Sequence, residues 1–546
     1  MKAVLHKIPQ PTNEPILSYK PSSEEKRLLK LELERQSKNP IEIPLFLGGK
    51  EIKSGKTQEI FAPHNHSLKL GVYHKASKEH AEMAIQSCRE SAKAWARMPW
   101  QSRAAIFLKA ADLLAGPYRA VLNAATMLGQ SKTVFQSEID AACELCDFWR
   151  FNAFFMQRIY EDQPMIHAPY TWNATEYRPL EGFVFAISPF NFTSIAGNLC
   201  GSPLVMGNVV IWKPASTAML SAYYIMKIFE EAGLPKGVLQ FLPGNASEMA
   251  NPVLDSPDLA GVHFTGSSST FNRIWARVGE NLSKGVYKTY PRLVGETGGK
   301  DFVIAAPDAD PTTLAVALFR GAFEYQGQKC SAASRAYVPK SIWPTVKSEM
   351  RKMAADALQG DVCDFRNFTG AVIDKASYTN IVSYIEYAKN SPEAQIAIGG
   401  KYSDAVGYFV EPTVIETTNP HFKLMEEEIF GPVLAVYVFE DNKLDETLDI
   451  LDKTSPYALT GAVFSKNRET IIKMSDALVN AAGNFYINDK PTGAVVGQQP
   501  FGGARNSGTN DKAGSMFNLI RWTSMRTIKE NFLPPSNYRY PYMQEA

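Results

Sequence analysis

Between residues 182 and 280 the chain alternates short apolar runs with longer helix-like stretches, and this alternation restricts the fold more than any other feature. The apolar runs lie at 182–188, 208–212, 237–242 and 261–265. The helix-like stretches lie at 192–206, 217–232 and 268–280. Strand, helix and strand at this spacing predict an α/β fold built on a parallel, doubly wound sheet.

A second series of the same kind runs from Asp301 to about Pro500. Its apolar runs lie at 301–306, 334–338, 369–373 and 433–439. A chain of 546 residues is too long for a single core, since domains usually hold ~100–200 residues. We therefore place a boundary near Glu296–Lys300, where a cleft would form between two α/β domains.

Three further parts of the chain belong to neither series. From Ser77 to about Tyr160 the apolar spacing is helical. Residues 1–40 are polar and rich in charge, which predicts a surface arm. Residues 164–180 and the tail 521–546 are β-prone and fit neither core. We expect these last two segments to pair as strands across a subunit interface.

Composition restricts the class of partner. The net charge is +1, so bulk electrostatics predict neither a nucleic acid nor a membrane surface. The apolar runs fall short of the ~20 residues that a membrane-spanning helix needs. Nothing in the first residues, Met1 to Tyr19, reads as a secretory signal. A cytoplasmic protein is expected, or a mitochondrial matrix protein if a leader has been removed.

The cysteines point to a reducing compartment. Six of them in so long a chain do not make a disulfide framework. Cys143 and Cys146 form a C-x-x-C within a helical pattern, without a second cysteine pair or a nearby histidine. Helix packing is therefore the favoured interpretation of this pair, with a metal or redox role as the alternative. No metal site is expected.

Cys330 stands out chemically because it lies in Gln-Gly-Gln-Lys-Cys-Ser (326–331). The thiolate is the reactive form of cysteine, and a neighbouring cation or oriented backbone N–H groups lower its pKa. Lys329 precedes it, in a loop that leaves the helix-like stretch 311–324. A buried structural cysteine is the commoner fate of a lone thiol, but these polar neighbours favour a nucleophile.

Two other residues suit the chemistry of a thiol nucleophile. Asn191 follows the apolar run 182–188, and carboxyl ends of parallel strands are where α/β sheets place ligands. Its amide is a candidate donor to an oxyanion, although an asparagine there is often a turn residue. Glu296 precedes Gly298 and Gly299, which let a ligand or water approach, so it is a candidate general base. A helix cap or a salt bridge within a turn is the alternative.

The sequence motifs that would indicate a dinucleotide-binding site are weaker than those around Cys330. No G-x-G-x-x-G follows a predicted strand. Instead the run 261–265 leads into Gly266, Ser267 and a helix start, which can present N–H groups to a pyrophosphate. Lys213 and Ser216 follow the run 208–212, from which they could reach an adenosine ribose. Ordinary strand-to-helix turns are the alternative for each.

Together these segments resemble the aldehyde dehydrogenase superfamily. The matching motifs are SPFNF (188–192), WKPAS (212–216), FTGS (264–267), ETGGK (296–300), Cys330 and EEIFGP (427–432). Longer strings are similar to the branch of that superfamily that oxidises glutamate γ-semialdehyde. These strings lie at 323–331, 492–505 and 507–512, and the likeness spans the chain from about Asn13 onward.

The resemblance implies a fold of three parts, with a Rossmann-type dinucleotide domain, an α/β catalytic domain and a small β oligomerisation arm. The expected ranges are 41–163 with 181–296 for the dinucleotide domain, 297–502 for the catalytic domain, and 164–180 with 521–546 for the oligomerisation arm, after the N-terminal arm 1–40. A homodimer or a higher homo-oligomer is implied, with a small molecule as substrate.

The resemblance also assigns roles. It makes Cys330 the nucleophile, Asn191 and the Cys330 N–H the oxyanion hole, and Glu296 the base for thioester hydrolysis. The implied cofactor residues are Ser188, Lys213, Ser216, Gly266, Ser267, Glu428 and Phe430. The implied substrate residues are Ser331, Gly493 and Ala494 for a carboxylate, Phe192 and Phe501 as aromatic walls, Lys329 nearby, and Glu144 for the amine.

One position departs from the superfamily pattern. Many members that use NAD carry Glu three residues after the lysine, where this chain has Ser216. NAD is the expected cofactor, and NADP is possible because Ser216 would not repel a 2′-phosphate. The expected reaction is oxidation of glutamate γ-semialdehyde to glutamate. Another ω-semialdehyde, such as succinate semialdehyde, and a non-catalytic scaffold built on this fold are the alternatives.

Overall fold

The structure is a computed structural model that describes residues 6–544. Its α-helices are α1 (Glu24–Lys38), α2 (Lys78–Arg97), α3 (Trp100–Ala115), α4 (Arg119–Gln130), α5 (Val134–Ser137), α6 (Leu145–Glu161), α7 (Thr193–Val205), α8 (Met219–Ala232), α9 (Ala246–Leu254), α10 (Ser268–Ser283), α11 (Pro311–Phe323), α12 (Trp343–Asp356), α13 (Lys375–Lys389), α14 (Lys423–Glu426), α15 (Leu444–Thr454), α16 (Arg468–Ala477) and α17 (Met516–Ile520). A π-helical segment spans Glu138–Glu144, and short 3-10 turns span Ser216–Ala218, Glu324–Gly327, Asp441–Lys443 and Pro541–Met543.

The strands are β1 (Ile41–Ile43), β2 (Leu45–Leu47), β3 (Lys50–Ile52), β4 (Thr57–Ala62), β5 (Asn65–His74), β6 (Thr171–Pro179), β7 (Phe183–Ile187), β8 (Val209–Lys213), β9 (Leu239–Phe241), β10 (Leu259–Thr265), β11 (Arg292–Glu296), β12 (Phe302–Ala305), β13 (Arg335–Pro339), β14 (Ala394–Ile398), β15 (Tyr402–Ser403), β16 (Phe409–Val410), β17 (Thr413–Thr417), β18 (Val433–Phe439), β19 (Tyr457–Ala458), β20 (Thr460–Phe464), β21 (Asn484–Ile487), β22 (Ala504–Arg505) and β23 (Thr523–Asn531).

The first large sheet has seven strands in the order β11-β10-β7-β8-β9-β2-β3. Its five strands from β11 to β9 run parallel, and β2 and β3 add an antiparallel edge. All residues of β10 are buried, which is why this strand reads as a mostly apolar run, with His263 and Thr265 as its polar members, rather than an alternating one. The parallel sheet predicted from residues 182–265 is confirmed.

The second large sheet also has seven strands, in the order β14-β17-β18-β13-β12-β20-β21. Its strands are parallel except for β14, which pairs antiparallel with β17. The chain passes from the first sheet to the second between Glu296, the end of β11, and Phe302, the start of β12. Each sheet has its own buried apolar side chains on its faces, in separate clusters.

The strand predicted at 369–373 is wrong. This segment makes only one isolated bridge, between Thr369 and Gln359. Its backbone N–H groups bond partners outside any ladder: Ala371 donates to Ser131 Oγ at 2.9 Å, and Ile373 donates to Gln328 Oε1 at 3.0 Å. The segment is apolar because it is buried against the loop that carries Cys330, not because it belongs to a sheet.

The N-terminal segment is more firmly attached than a surface arm. One face of α1 is buried through Leu29 and Leu33. Before it, the Tyr19 hydroxyl donates to Glu138 Oε2 at 2.7 Å, and Asn13 Nδ2 donates to Asp147 Oδ2 at 2.8 Å. The polar composition of residues 1–40 predicted a solvent-exposed arm, but polar side chains of this segment hydrogen-bond buried partners on the π-helical segment and on α6.

The two β-prone segments pair with each other. Strands β6 and β23 form an antiparallel two-stranded sheet, in which Thr523 faces Pro179 and Asn531 faces Thr171. This sheet exposes large apolar side chains, among them Trp172 and Met525. Of the helices in the described part of the chain, none combines the length and apolar character needed to cross a membrane.

Candidate active site

The loop that carries Cys330 follows α11 and has a restricted backbone. Tyr325, Gln326 and Gly327 have φ values of 51°, 53° and 64°, all in the left-handed region. For residues other than glycine this costs ~1–3 kcal/mol each, so the surroundings must hold the loop. Gln326 Nε2 does so by donating to the carbonyl oxygens of Ser131 at 2.9 Å and Ala371 at 2.7 Å.

The Cys330 thiol is held protonated by its surroundings. Burial is the main factor that raises its pKa, and the nearby carboxyl groups of Asp301, Glu296 and Glu428 raise it further. Lys329 is not among the main groups that act on this pKa. The Lys329 ammonium instead lies 3.2 Å from Glu324 Oε2 in a buried ion pair. The thiol must therefore lose its proton within the site before it can act as a nucleophile.

Asn191 lies between the end of β7 and the start of α7, as the sequence pattern predicted. Its side chain is buried, and Nδ2 donates to the carbonyl oxygen of Gln328 at 3.0 Å. An amide nitrogen carries two hydrogens, so this bond fixes the amide and leaves the second hydrogen for another acceptor. Asn191 is thereby connected to the loop of Cys330, two residues before the thiol.

Glu296 is the last residue of β11. Its Oε2 accepts a hydrogen bond from the N–H of Gly503 at 3.2 Å. Burial raises the pKa of Glu296 well above its usual range, and the Gly503 N–H and the ammonium of Lys512 only partly oppose this effect. Once Glu296 has lost its own proton, its carboxylate is a stronger base than a free one, which suits proton removal from water.

Cys330 and Glu296 line one cavity of 380 Å³, which we call the Cys330 cavity. The implied substrate residues all line it as well: Glu144, Phe192, Lys329, Ser331, Gly493, Ala494 and Phe501. They come from both α/β units, so the cavity occupies the cleft expected near Glu296–Lys300. Asn191 does not line it, but its neighbour Phe192 does.

One end of the Cys330 cavity has small and hydroxyl-bearing residues. Ser331 Oγ lies 2.8 Å from Thr492 Oγ1. Gly493 has a φ of 99°, a conformation that other residues rarely adopt, and Ala494 follows it. Hydroxyl and backbone N–H donors can thus face the cavity without a bulky side chain in the way.

Charged side chains surround this end. Arg320 Nε donates to Glu324 Oε1 at 2.7 Å, and Lys329 contacts the other oxygen of the same carboxylate. Burial would raise the pKa of Glu324, but Lys329, Arg320 and Lys490 lower it below its usual range. Three basic side chains thus surround one carboxylate in this part of the cavity, and burial lowers the pKa of one of them, Lys329.

Glu144 lines the Cys330 cavity from the π-helical segment. Ser194 Oγ donates to Glu144 Oε2 at 2.7 Å. Burial raises the pKa of Glu144 to about 8, and the neighbouring Asp140 contributes. A carboxyl group in this state becomes a full anion when a cationic group of a ligand is placed against it.

The predicted cofactor residues Ser188, Lys213 and Ser216 lie at or just after the ends of β7 and β8. The Ser188 hydroxyl accepts a hydrogen bond from Trp212 Nε1 at 3.0 Å, which leaves its own hydrogen free to donate. Burial lowers the pKa of Lys213. Within residues 6–544, Lys213 Nζ donates only to the carbonyl of Pro214, at 3.2 Å. Ser216 begins the 3-10 turn that follows β8.

The remaining predicted cofactor residues lie around the same cleft. Gly266 follows β10, and Ser267 caps α10 by accepting from the N–H of Thr270 at 3.3 Å. Glu428 Oε1 accepts from the N–H of Gly299 at 2.9 Å, and burial raises the pKa of Glu428 to about 7. Phe430 has a φ of 58° and packs edge-on against Phe190, with ring centroids 5.8 Å apart.

The aldehyde dehydrogenase family model matches residues 51–528 of this chain. A protein of Dictyostelium discoideum named delta-1-pyrroline-5-carboxylate dehydrogenase, mitochondrial, is 53% identical over 98% of this chain and 96% of its own length. The chain belongs to the aldehyde dehydrogenase family.

Other relatives of this aldehyde dehydrogenase carry similar names. A human protein named delta-1-pyrroline-5-carboxylate dehydrogenase, mitochondrial, is 48% identical over 97% of this chain and 94% of its own length. A solved structure described as the Delta-pyrroline-5-carboxylate dehydrogenase from Mycobacterium tuberculosis bound with NAD is 49% identical, has a TM-score of 0.96, and covers 100% of both chains. The aldehyde dehydrogenase fold expected from the motifs is confirmed.

Cys143 and Cys146 of this aldehyde dehydrogenase take part in helix packing, as expected. Cys146 is fully buried in α6 and its Sγ lies 3.4 Å from the carbonyl oxygen of Ala111. Cys143 lies in the π-helical segment, 3.6 Å from the guanidinium of Arg119. The two thiols thus contact different parts of the surrounding structure.

Sequence reasoning missed several residues that line the Cys330 cavity in this aldehyde dehydrogenase. The sequence analysis assigned no role to three charged residues of the cavity wall, Arg320, Glu324 and Lys490. Arg320 and Glu324 are four residues apart at the end of α11, a spacing that predicts an ion pair and could have drawn attention to them. Asn13 also lines the cavity, and nothing in the N-terminal sequence indicated that.

Proposed function

We propose that this aldehyde dehydrogenase oxidises L-glutamate γ-semialdehyde, the hydrolysed form of 1-pyrroline-5-carboxylate, to L-glutamate with reduction of NAD, the second step of proline degradation. The observation that carries the proposal is the Cys330 cavity itself. It combines a thiol and a basic carboxyl group with an end lined by basic side chains and a separate carboxyl group at Glu144. The names of the relatives support the same reaction.

The cavity fits a zwitterionic aldehyde. The α-carboxylate would lie against Ser331, Thr492 and the N–H groups of Gly493 and Ala494, where Lys329 and its neighbours add positive charge. The α-ammonium would lie against Glu144. Charge-assisted hydrogen bonds of this kind are stronger than neutral ones and fix the orientation of a small ligand. Phe192 and Phe501 would enclose the aliphatic part.

The chain also fits NAD. Ser188 and Lys213 carry hydrogen-bond donors that suit ribose hydroxyl groups, and Glu428 carries a suitable acceptor. The start of α10 suits a pyrophosphate. When bound, NAD supplies the acceptor for a hydride. The roles of this aldehyde dehydrogenase's own residues are to hold the cofactor, to bind the aldehyde covalently and to move protons.

In the proposed mechanism the Cys330 thiol releases its proton to solvent, and the thiolate sulfur adds to the aldehyde carbon to give a thiohemiacetal. The carbonyl electrons move to oxygen, where the second hydrogen of Asn191 Nδ2 and the N–H of Cys330 stabilise the charge. Loss of the C–H hydride leaves a thioester on Cys330. Glu296 then takes a proton from water, the water oxygen attacks the thioester carbon, and the thiolate leaves with release of L-glutamate.

The direct test follows NAD reduction and glutamate formation with purified protein. Glutamate γ-semialdehyde should be the preferred substrate over succinate semialdehyde, which lacks the α-amino group, and over simple aliphatic aldehydes. A site that hydrogen-bonds a polar group typically rejects analogues lacking it by ~10⁴-fold or more. Equal kcat/KM for succinate semialdehyde would overturn the substrate assignment, and no NAD reduction with any aldehyde would support the scaffold alternative.

Three further properties are part of the proposal. The exposed apolar side chains of the β6–β23 sheet support a homodimer or higher homo-oligomer, which light scattering would measure. The change of sheet between Glu296 and Phe302 supports the predicted domain division. The names of the Dictyostelium and human relatives favour the mitochondrial compartment over the cytoplasm. Fractionation of cells that express the protein would distinguish these two locations.

A further inference from the structure

Lys132 and Asp140 form an ion pair that is almost completely removed from solvent. Lys132 Nζ lies 2.6 Å from Asp140 Oδ2, and the exposed fractions of the two side chains are 1% and 0%. Burying two charges carries a large desolvation cost, and removal of one partner leaves the other charge uncompensated. Neither residue lines the Cys330 cavity, and the mechanism above does not use them.

The ammonium of Lys132 lies between two aromatic rings that belong to the two halves of the active site. Its Nζ is 4.2 Å from the centroid of the Phe192 ring and 4.5 Å from that of the Tyr325 ring. Both distances are within the range for attraction between a cation and the face of a ring, which is strongest when water is excluded. Phe192 directly follows Asn191, and Tyr325 begins the left-handed turn before Cys330.

Asp140 holds the same segment from the other side. Its Oδ2 accepts from the N–H of Thr193 at 2.9 Å, and its Oδ1 accepts from the N–H of Ser194 at 2.8 Å. These are the first two residues of α7, so the carboxylate caps the helix where the backbone N–H groups have no partner within the helix. The position of α7 in turn sets the position of Asn191.

The two halves also meet directly, through the hydrogen bond from Asn191 Nδ2 to the carbonyl of Gln328. We propose that Lys132, through Asp140, Phe192 and Tyr325, is a positioning residue that holds the Asn191 amide in register with the Cys330 loop. The inference rests on the proposed function, since it assigns Asn191 to the oxyanion. Lys132 itself touches neither substrate nor cofactor.

A positioning role through the oxyanion has a distinct kinetic signature. Lys132→Met keeps much of the side-chain volume and removes the charge, so Asn191 should lose its fixed position. The expected result is a fall in kcat of about 10- to 100-fold, below the ~10²–10³-fold typical of removing an oxyanion donor altogether. Kd for NAD should stay within a factor of about 2, because the residues that Lys132 contacts, Asp140, Phe192 and Tyr325, are not predicted cofactor residues.

The fall in kcat of Lys132→Met should be the same for glutamate γ-semialdehyde and for simple aldehydes, since every aldehyde forms the oxyanion. Lys132→Arg keeps the cation and should restore most of the activity. Lys347→Met is the matched control: Lys347 lies 2.9 Å from Glu416 and 5.5 Å from the centroid of the Trp343 ring, but does not line the Cys330 cavity. This control should keep wild-type kinetics.

A double-mutant cycle separates positioning from a general loss of structure. In an Asn191→Ala background, Lys132→Met should lower kcat by less than about 3-fold, because the group that it positions is already gone. A fully multiplicative effect in that background would overturn the proposal, as would unchanged kcat in Lys132→Met with wild-type melting temperature. Wild-type turnover reports on the proposed function, whereas only the ratio of variant to wild type reports on Lys132.

Discussion

The hydroxyl oxygens of Ser331 and Thr492 are 2.8 Å apart on the wall of the Cys330 cavity, although the residues are separated by 161 positions in sequence. Ser331 is the residue after the nucleophile, and Thr492 precedes the Gly493-Ala494 turn. This contact therefore connects the reacting sulfur to the surface proposed for the substrate's α-carboxylate.

Ser331→Ala should raise KM for glutamate γ-semialdehyde by about 10- to 100-fold, since one donor is lost and the remaining polar groups are left unpaired at ~1–3 kcal/mol. Activity on simple aliphatic aldehydes should change little. Steady-state kinetics with both substrates checks this. Equal damage to both would mean that Ser331 serves the geometry of Cys330 rather than carboxylate recognition.

Cys330→Ala should abolish turnover while leaving folding and NAD binding nearly intact, because the thioester requires the sulfur of Cys330, and Cys143, the other thiol of this cavity, lies against Arg119. Cys363 is a matched control, since it is also partly exposed but does not line the Cys330 cavity. Cys363→Ala should keep wild-type kcat. Retention of more than a few per cent of wild-type kcat in Cys330→Ala would exclude the covalent mechanism.

Glu144 should make stability depend on pH. Its pKa is raised from 4.5 to about 8, so the folded protein keeps a proton that the unfolded chain loses, and stability falls as the pH rises through this window. At high pH, Glu144→Gln removes the destabilisation of the folded state that ionised Glu144 causes. This is on the order of a few kcal/mol at most, since each unit of pKa shift corresponds to ~1.4 kcal/mol. The variant should melt at a higher temperature than wild type near ~pH 9 and at a similar temperature near ~pH 5.

An exposed carboxyl group provides the control for this measurement. Glu440 forms an ion pair with Lys340 at the surface, and Glu440→Gln should show no such divergence between the two pH values. A melting temperature of Glu144→Gln that follows wild type across the whole range would show that Glu144 does not carry a raised pKa.

Ser216 should determine how well the site accepts NADP. It begins the turn after β8, and in the proposed NAD site its hydroxyl group takes the place of a carboxylate that would repel a 2′-phosphate. Ser216→Glu should lower kcat/KM with NADP at least ~10-fold while changing kcat/KM with NAD by less than about 3-fold, a difference of at least ~0.7 kcal/mol in selectivity. If both cofactors respond alike, Ser216 does not face the ribose.

The sequence predicted the two parallel sheets because their strands are buried on both faces and read as continuous apolar runs. The segment 369–373 reads the same way and is not a strand, since Ser131 and Gln328 satisfy its N–H groups. An apolar run in the sequence indicates that a segment is buried, but it does not indicate which groups accept the segment's backbone hydrogen bonds. The partners of this segment are distant in sequence, so no local pattern could reveal them.

Motifs located the residues around Cys330 but not their electrostatics. Lys329 precedes Cys330 and was expected to stabilise the thiolate, yet its ammonium pairs with Glu324. The role of Lys132 was equally hidden, because its contacts with Asp140, Phe192 and Tyr325 arise only when the two halves of the active site meet. Such contacts depend on tertiary structure and leave no periodic signal in the sequence.

The central claim is that Cys330 carries the acyl group and that Glu296 removes it with water. The most direct measurement mixes Glu296→Gln with glutamate γ-semialdehyde and NAD, follows reduced NAD by stopped flow, and maps the acid-quenched protein by mass spectrometry. We predict a rapid burst of reduced NAD, slow steady turnover, and a glutamyl thioester on the peptide that contains Cys330. The absence of that adduct, together with a burst rate that falls as far as the steady rate, would contradict the account.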